Sequence, residues 1–285
     1  MHTVTLQLGG GPLVADIFAG PPGSSQALLI HGWGGSGRYW RGTVERLRDH
    51  LGFVVPDLPG AGRSLPAPQA PNMIAQADAL AALLDQIGAR RVHVVGHSMG
   101  GGIALLLAAR RPDLVDRLVL TAISLFKSDG ERAFFHAITE LSGALMRLRA
   151  PWMADMPLLT RQFAARFFYR VPSDAAVLRE GFLDYLRMDR DTALASARSA
   201  TSQAIPAAAR RVRAPTLLIA AREDQVMPPA NVPFTLAAIP GSQVRWIERC
   251  GHLPMVERPD EYAAILGEFL TEKKSVVGSQ VSVPL

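Results

Sequence analysis

One cysteine in 285 residues leaves no partner for an internal disulfide, and Cys250 is compatible with a reducing compartment. No apolar run reaches the length of a membrane span. The N-terminus has no basic segment ahead of an apolar core. Val4, Leu6 and Leu8 alternate with polar residues and run into Gly9-Gly10-Gly11, the pattern of a strand and a turn. A cytoplasmic location is therefore expected. There is no Cys/His cluster with ligand spacing, so no metal is implied. No glycine-rich loop ends in Lys-Ser/Thr, and the loop at 31–37 lacks the following acid and helix register of a dinucleotide site, so no cofactor is implied either. The net charge of +5 comes almost entirely from arginines scattered among acids, with no nucleic-acid-binding motif beside them.

What is present describes an ordinary globular chain, 48% hydrophobic and 19% charged, long enough for one large core or a core with an insertion. Residues 3–8 and 13–18 pattern as a hairpin. Ala27–Ile30 is a short buried-type strand that ends in His31-Gly32-Trp33-Gly34-Gly35-Ser36-Gly37. A helix follows at about 40–50, then the strand 53–55 and the turn-rich loop Asp57-Leu58-Pro59-Gly60-Ala61-Gly62-Arg63-Ser64. Asn72 caps a helix that stops at Gly88. Next come a strand at 92–95, a serine between glycines, a helix ending before Pro112, and the strand 118–120. Strands alternating with helices of this length predict a parallel sheet of α/β class, with sites at the carboxyl ends of its strands.

From about 124 to 207 the alternation gives way to helices alone, with seven of the eleven phenylalanines. This stretch is expected to be a helical lid whose aromatics mostly form its own core. The sheet resumes with Thr216–Ala220, then Arg222-Glu223-Asp224, a helix near 229–238, the strand 244–247 and Cys250-Gly251-His252. The last helix covers about 259–272. The domain reading is thus a core of 1–123 and 208–272, a lid of 124–207 and a disordered tail of 273–285.

The chemistry centres on Gly96-His97-Ser98-Met99-Gly100, where a buried strand turns sharply into a helix and exposes a hydroxyl. The N–H of Met99 and the helix start lie beside it, where negative charge is welcome. A serine hydroxyl needs a base to take its proton and a carboxylate to orient that base. Of the seven histidines, His252 alone follows the last strand in an irregular loop that can reach across strand ends. His31 reads as a scaffold, and His97 is adjacent in the chain to Ser98, where side chains diverge. Asp224 directly follows a strand and is the favoured acid. Glu223 beside it is the alternative, and Asp57 lies far from the sheet centre.

The order Ser98, Asp224, His252, with His31-Gly32-Trp33-Gly34, Asp57–Gly62, Gly96–Gly101, 222–224 and Gly251-His252 each at a strand end, resembles the α/β-hydrolase superfamily over about residues 3–272. It is most similar to small lid-bearing bacterial esterases. That resemblance implies an α/β-hydrolase fold, a mostly parallel sheet flanked by helices with the lid inserted, and a Ser98–His252–Asp224 triad. It also implies an oxyanion hole from the N–H groups of Trp33 and Met99. Trp33, His97 and Trp152 are the expected substrate contacts.

A serine at the elbow argues against family members that attack with aspartate. The expected reaction is hydrolysis of a small-molecule carboxylic ester through acyl-Ser98, without a cofactor. Carbon–carbon hydrolases of ring-cleavage products share the Ser-Met-Gly-Gly run. They usually carry Gly-Pro in the oxyanion loop and Asn before the serine, where this chain has Gly34-Gly35 and His97. Cofactor-free perhydrolases share the elbow, and a non-catalytic receptor on the same fold is the reading of another class. Esterases of pimeloyl-carrier-protein methyl esters also have a His-Gly-Trp-Gly loop and dock an acidic carrier on lid arginines. Arg147, Arg149, Arg161, Arg166 and Arg170 are the matching candidates here.

Overall fold

The computed structural model describes residues 1–272, so the tail expected at 273–285 lies outside the described residues. The chain opens with a hairpin, β1 (His2–Leu8) and β2 (Gly11–Phe18). There follow β3 (Gln26–Ile30), α1 (Arg41–Leu47), β4 (Gly52–Asp57), α2 (Met73–Gln86), β5 (Val92–His97), α3 (Met99–Arg110) and β6 (Val115–Thr121). The helices α4 (Asp129–Leu145), α5 (Pro157–Ala164), α6 (Ala175–Arg187), α7 (Arg190–Ala200) and α8 (Ala204–Ala209) come next. The chain closes with β7 (Thr216–Ala221), α9 (Val232–Ala238), β8 (Gln243–Ile247), α10 (Pro254–Glu257) and α11 (Pro259–Thr271).

The eight strands form one sheet in the order β1-β2-β4-β3-β5-β6-β7-β8. Only the β1–β2 and β2–β4 pairs are antiparallel, and the remaining pairs are parallel. Alternation along the strands divides the core in two, because successive side chains point to opposite faces. Leu28, Ile30, Val94, Leu118 and Leu218 pack with α2, α3 and α8 on one face. Leu29, Val95, Val119, Leu217 and Ile219 pack with α1 and α11 on the other. Burial on both faces is why these strands read as continuous apolar runs.

Asn72 caps α2 as expected, accepting from the N–H groups of Ile74 and Ala75. The helices between β6 and β7 run on to Ala209. Ile205, Ala208 and Ala209 of α8 are buried in the sheet core. Among the described residues no helix is long and apolar enough to cross a membrane.

The chain order reverses between β3 and β5, which lie side by side at the centre of the sheet. A crevice opens at such a switch point because the connections leave in opposite directions. The loops after β3 and β5 therefore flank it, with those after β7 and β8 further along the same edge. Close packing of α3 fixes the spacing. A side chain on Gly100 would begin 2.5 Å from the carbonyl oxygens of Ile30 and His31, which are backbone and cannot give way. Gly100→Ala is expected to cost about 3 kcal/mol in a urea titration. Gly181→Ala, where a side chain would meet nothing within 4 Å, is expected to be neutral or stabilising.

Candidate active site

Ser98 joins β5 to α3 with φ 53° and ψ −120°, a left-handed conformation that a non-glycine residue holds only under constraint from its surroundings. The constraint is visible at Gly96, where a side chain would begin 2.3 Å from the carbonyl oxygen of Gly100. Strand and helix cross too closely for either glycine to carry one. Ser98 N–H donates to Thr121 O at 2.9 Å, tying the turn to β6. The N–H groups of Met99 and Trp33 make no hydrogen bond to another described residue.

His252 is buried in the loop between β8 and α10, and its Nδ1–H donates to Asp224 Oδ2 at 2.8 Å. The other Asp224 oxygen accepts from the N–H groups of Val226 at 2.7 Å and Met227 at 2.9 Å, which fixes the carboxylate. Nε2 is left as the unbonded ring nitrogen, and His252 lines the same cavity as Ser98. No hydrogen bond joins Ser98 Oγ to Nε2 among the described residues; such contacts commonly tighten only once substrate is bound. Glu223, the alternative acid, has a different task. Its carboxylate accepts from Cys250 N–H at 2.9 Å and so holds the backbone of the loop that carries His252.

A second network lies behind the first. His97 Nε2 donates to the carbonyl of His252 at 2.8 Å. Burial, and then the nearby His252, hold the His97 pKa well below its ordinary value, so the ring is neutral and Nδ1 accepts. Its donor is the Tyr39 hydroxyl at 2.9 Å, which in turn accepts from Gly32 N–H. One unbroken chain thus runs from the loop after β3 to the backbone of His252. His97, expected as a substrate contact, lines the cavity and also carries this link. His31 is a scaffold: Nδ1–H donates to Gly32 O and Nε2 accepts from Leu58 N–H, both at 2.8 Å. Asp57 is occupied by Gly37 N–H and by Arg63.

The cavity above Ser98 encloses about 420 Å³. Its apolar wall comes from the insertion and from α10, chiefly Phe163, Phe167, Phe168, Phe182, Leu178 and Met255. The insertion's aromatics therefore both pack among themselves and enclose the cavity, because a segment this small has one set of rings for both tasks. Trp33 lines the cavity too, and its indole N–H donates to Ala193 O of α7 at 3.0 Å. Trp152 is 62% exposed and is not among the residues that line this cavity. It sits in a short turn between α4 and α5 that presents it to solvent.

The expectation of an acidic carrier protein on five arginines is not supported. Arg149 is committed inward, donating to the carbonyls of Tyr185 and Met188 and lying over the Tyr185 ring. Three residues without a sequence motif prove to hold the site together. Besides Tyr39, Glu257 accepts from Gly251 N–H at 2.8 Å and from Arg170 N–H at 2.7 Å, joining the His252 loop to the insertion. Asp184 of α6 accepts from Ser36 Oγ and faces Arg38, joining the insertion to the loop after β3. Each has a partner remote in sequence (His97, Arg170 and Ser36), so spacing carries no trace of these links.

Residues 27–265 match the model of the alpha/beta hydrolase family. The chain belongs to that family. It is 28% identical over 254 residues to a pimeloyl-[acyl-carrier protein] methyl ester esterase of Neisseria meningitidis, covering 88% of this chain and 78% of that one. It is also 28% identical over 271 residues to the monoacylglycerol lipase abhd6-B of Xenopus laevis, covering 90% and 78%. A hydrolase from Pseudomonas aeruginosa PA01 has the same fold, with a TM-score of 0.80 at 22% identity over 95% of this chain and 98% of that one. The chain is thus a hydrolase with esterase- and lipase-like relatives.

Tyr39→Phe removes one hydroxyl but strands two buried partners, Gly32 N–H and His97 Nδ1. It is expected to cost about 2 kcal/mol in chemical denaturation. His97 also sets a pH dependence. Below its ordinary value of about 6.5 the unfolded chain takes up a proton that the folded ring refuses, so stability falls with falling pH. His31, lowered by burial, acts in the same sense; Asp184, raised by burial, acts in the opposite one. His97→Gln, which retains a donor for His252 O, is expected to flatten the decline of Tm below pH 6.5.

Proposed function

We propose that the protein is a serine hydrolase of carboxylic esters, working through an acyl-Ser98 intermediate. The observation that carries this reading is the Nδ1–Asp224 bond of 2.8 Å, which leaves His252 Nε2 free beside the cavity that Ser98 enters from its strained turn. Ser98 Oγ attacks the ester carbonyl while Nε2 takes the hydroxyl proton. Asp224 holds the ring in the tautomer that can accept it and stabilises the imidazolium that forms. The unpartnered N–H groups of Met99 and Trp33 receive the developing oxyanion, a contribution of about 3 kcal/mol per donor in comparable sites. The alcohol leaves with the proton from Nε2. Water, deprotonated by the same nitrogen, then releases the acid from Ser98 and restores the hydroxyl.

The insertion acts as a lid over this site, and its phenylalanines favour an apolar acyl or aryl group in the substrate. Relatives that are an acyl methyl ester esterase and a monoacylglycerol lipase support ester chemistry on an apolar chain.

Turnover of p-nitrophenyl butyrate by the wild type, absent in Ser98→Ala, is the expected result. Labelling by a fluorophosphonate should vanish in the same variant. Asp224→Asn, which reverses the hydrogen bond that sets the tautomer, should lower kcat by about 10⁴-fold. An Asp224→Asn enzyme with near wild-type kcat would remove the triad from the mechanism.

A further inference from the structure

The outer surface of α4 is inverted relative to an ordinary surface helix. Two of its carboxylates turn toward the protein, while Asp129 and His136 stay exposed: Glu131 accepts from Asn231 Nδ2 at 3.0 Å, and Glu140 pairs with Arg198 of α7 at 2.6 Å. Thr139 and Gly143 are its buried contacts, and Gly143 packs so closely on Leu194 that a side chain there would collide. Phe134, Ile138, Leu141 and Leu145 then follow one another at 4-3-4 spacing along the solvent side. Leu148 extends the row just past the helix, and Phe134, Leu141 and Leu148 keep 62–74% of their surface exposed. The apolar surface continues along the chain through Trp152 and Leu158. An exposed patch of this kind marks a contact with a partner, because a free monomer has no reason to keep it.

The charges around the row decide what covers it. Arg147 lies between Leu145 and Leu148, and Arg161 is one helical turn from Leu158; both are exposed. From 141 to 170 the chain holds a single acid, Asp155, which is taken by Arg179 at 2.7 Å. Among the described residues no carboxylate pairs with Arg147 or Arg161. In a twofold dimer the face would meet its own copy; Asp129, Glu140 and Asp155 are already paired with Arg132, Arg198 and Arg179, which leaves Arg147 and Arg161 to face like charges. A lipid surface with anionic headgroups answers both features: acyl chains receive the leucines and tryptophan, and headgroups receive the arginines.

We infer that the exposed face of α4, continued through Leu148, Trp152 and Leu158, docks the protein on the surface of an anionic bilayer. The helix lies in the plane of the interface and does not cross it. This docking does not depend on the ester-hydrolase reading, since the face lies outside the residues that line the cavity.

The test is co-sedimentation of the full chain with vesicles of phosphatidylcholine alone, or of phosphatidylcholine and phosphatidylglycerol in equal parts. Binding is expected to be about tenfold tighter to the anionic vesicles and to weaken with added salt. Leu141→Glu and Leu145→Glu are each expected to weaken it by a further tenfold or so. Both residues are exposed, so thermal melting followed by circular dichroism should match the wild type. Turnover of soluble p-nitrophenyl butyrate should also be unchanged, which keeps failure of the docking separate from failure of the catalytic reading. No binding to either vesicle, or wild-type binding by both variants, overturns the inference. So does a wild-type dimer in sedimentation velocity that Leu141→Glu dissolves, for the face would then belong to a second copy.

Discussion

At the crossing of β5 and α3 the carbonyl of Gly100 approaches to 2.3 Å of where a side chain on Gly96 would begin, and Ser98 occupies a left-handed turn between them. Everything else in the site is built against this crowded corner. Because α3 also presses on the end of β3, the loops after β3 and β5 leave the sheet together, on either side of the switch point. The strain at Ser98 is held by surroundings that leave the chain no alternative: apolar packing on both faces of β5, a hydrogen bond to β6, and backbone contacts in place of side chains.

Against that fixed corner the remaining parts are positioned by hydrogen bonds that reach across the fold. His252 is held at four points: its ring by Asp224, its carbonyl by His97, its N–H by the carbonyl of Phe167, and its loop by Glu223 and Glu257. Two of these reach the insertion, through Phe167 and through the amides that Glu257 holds. The insertion is fastened at its other side by Asp184 to Ser36 and by the Trp33 indole to Ala193. A buried hydrogen bond adds only about 1 kcal/mol net, but a stranded partner costs more, so a closed set of this kind favours one geometry. The cavity wall and the ring of His252 are consequently parts of one assembly.

The insertion carries two faces of opposite purpose. Inward, its phenylalanines pack together and enclose the space above Ser98. Outward, α4 keeps Glu131 and Glu140 against the protein and its leucines in solvent. Small residues at Thr139 and Gly143 make this possible, since Gly143 leaves room for the Leu194 side chain of α7 against the helix.

The mostly parallel sheet, and the placing of Ser98, Asp224 and His252 just after its strands, could be read from the sequence. Both-face burial leaves continuous apolar runs, and tight turns require glycine, so these local constraints write themselves into neighbouring positions. Between Asp224 and Glu223 the sequence favours Asp224, but both follow the same strand and residue type alone gives neither its partner. Only the fold decides, turning one carboxylate to the ring and the other to the backbone of Cys250. The same limit hid Tyr39, Asp184 and Glu257. The sequence determined which residues stand at strand ends, since that depends on near neighbours. Tertiary structure decided which of them meet, and which side chains of a helix of mixed composition face water, since both depend on contacts between positions far apart along the chain.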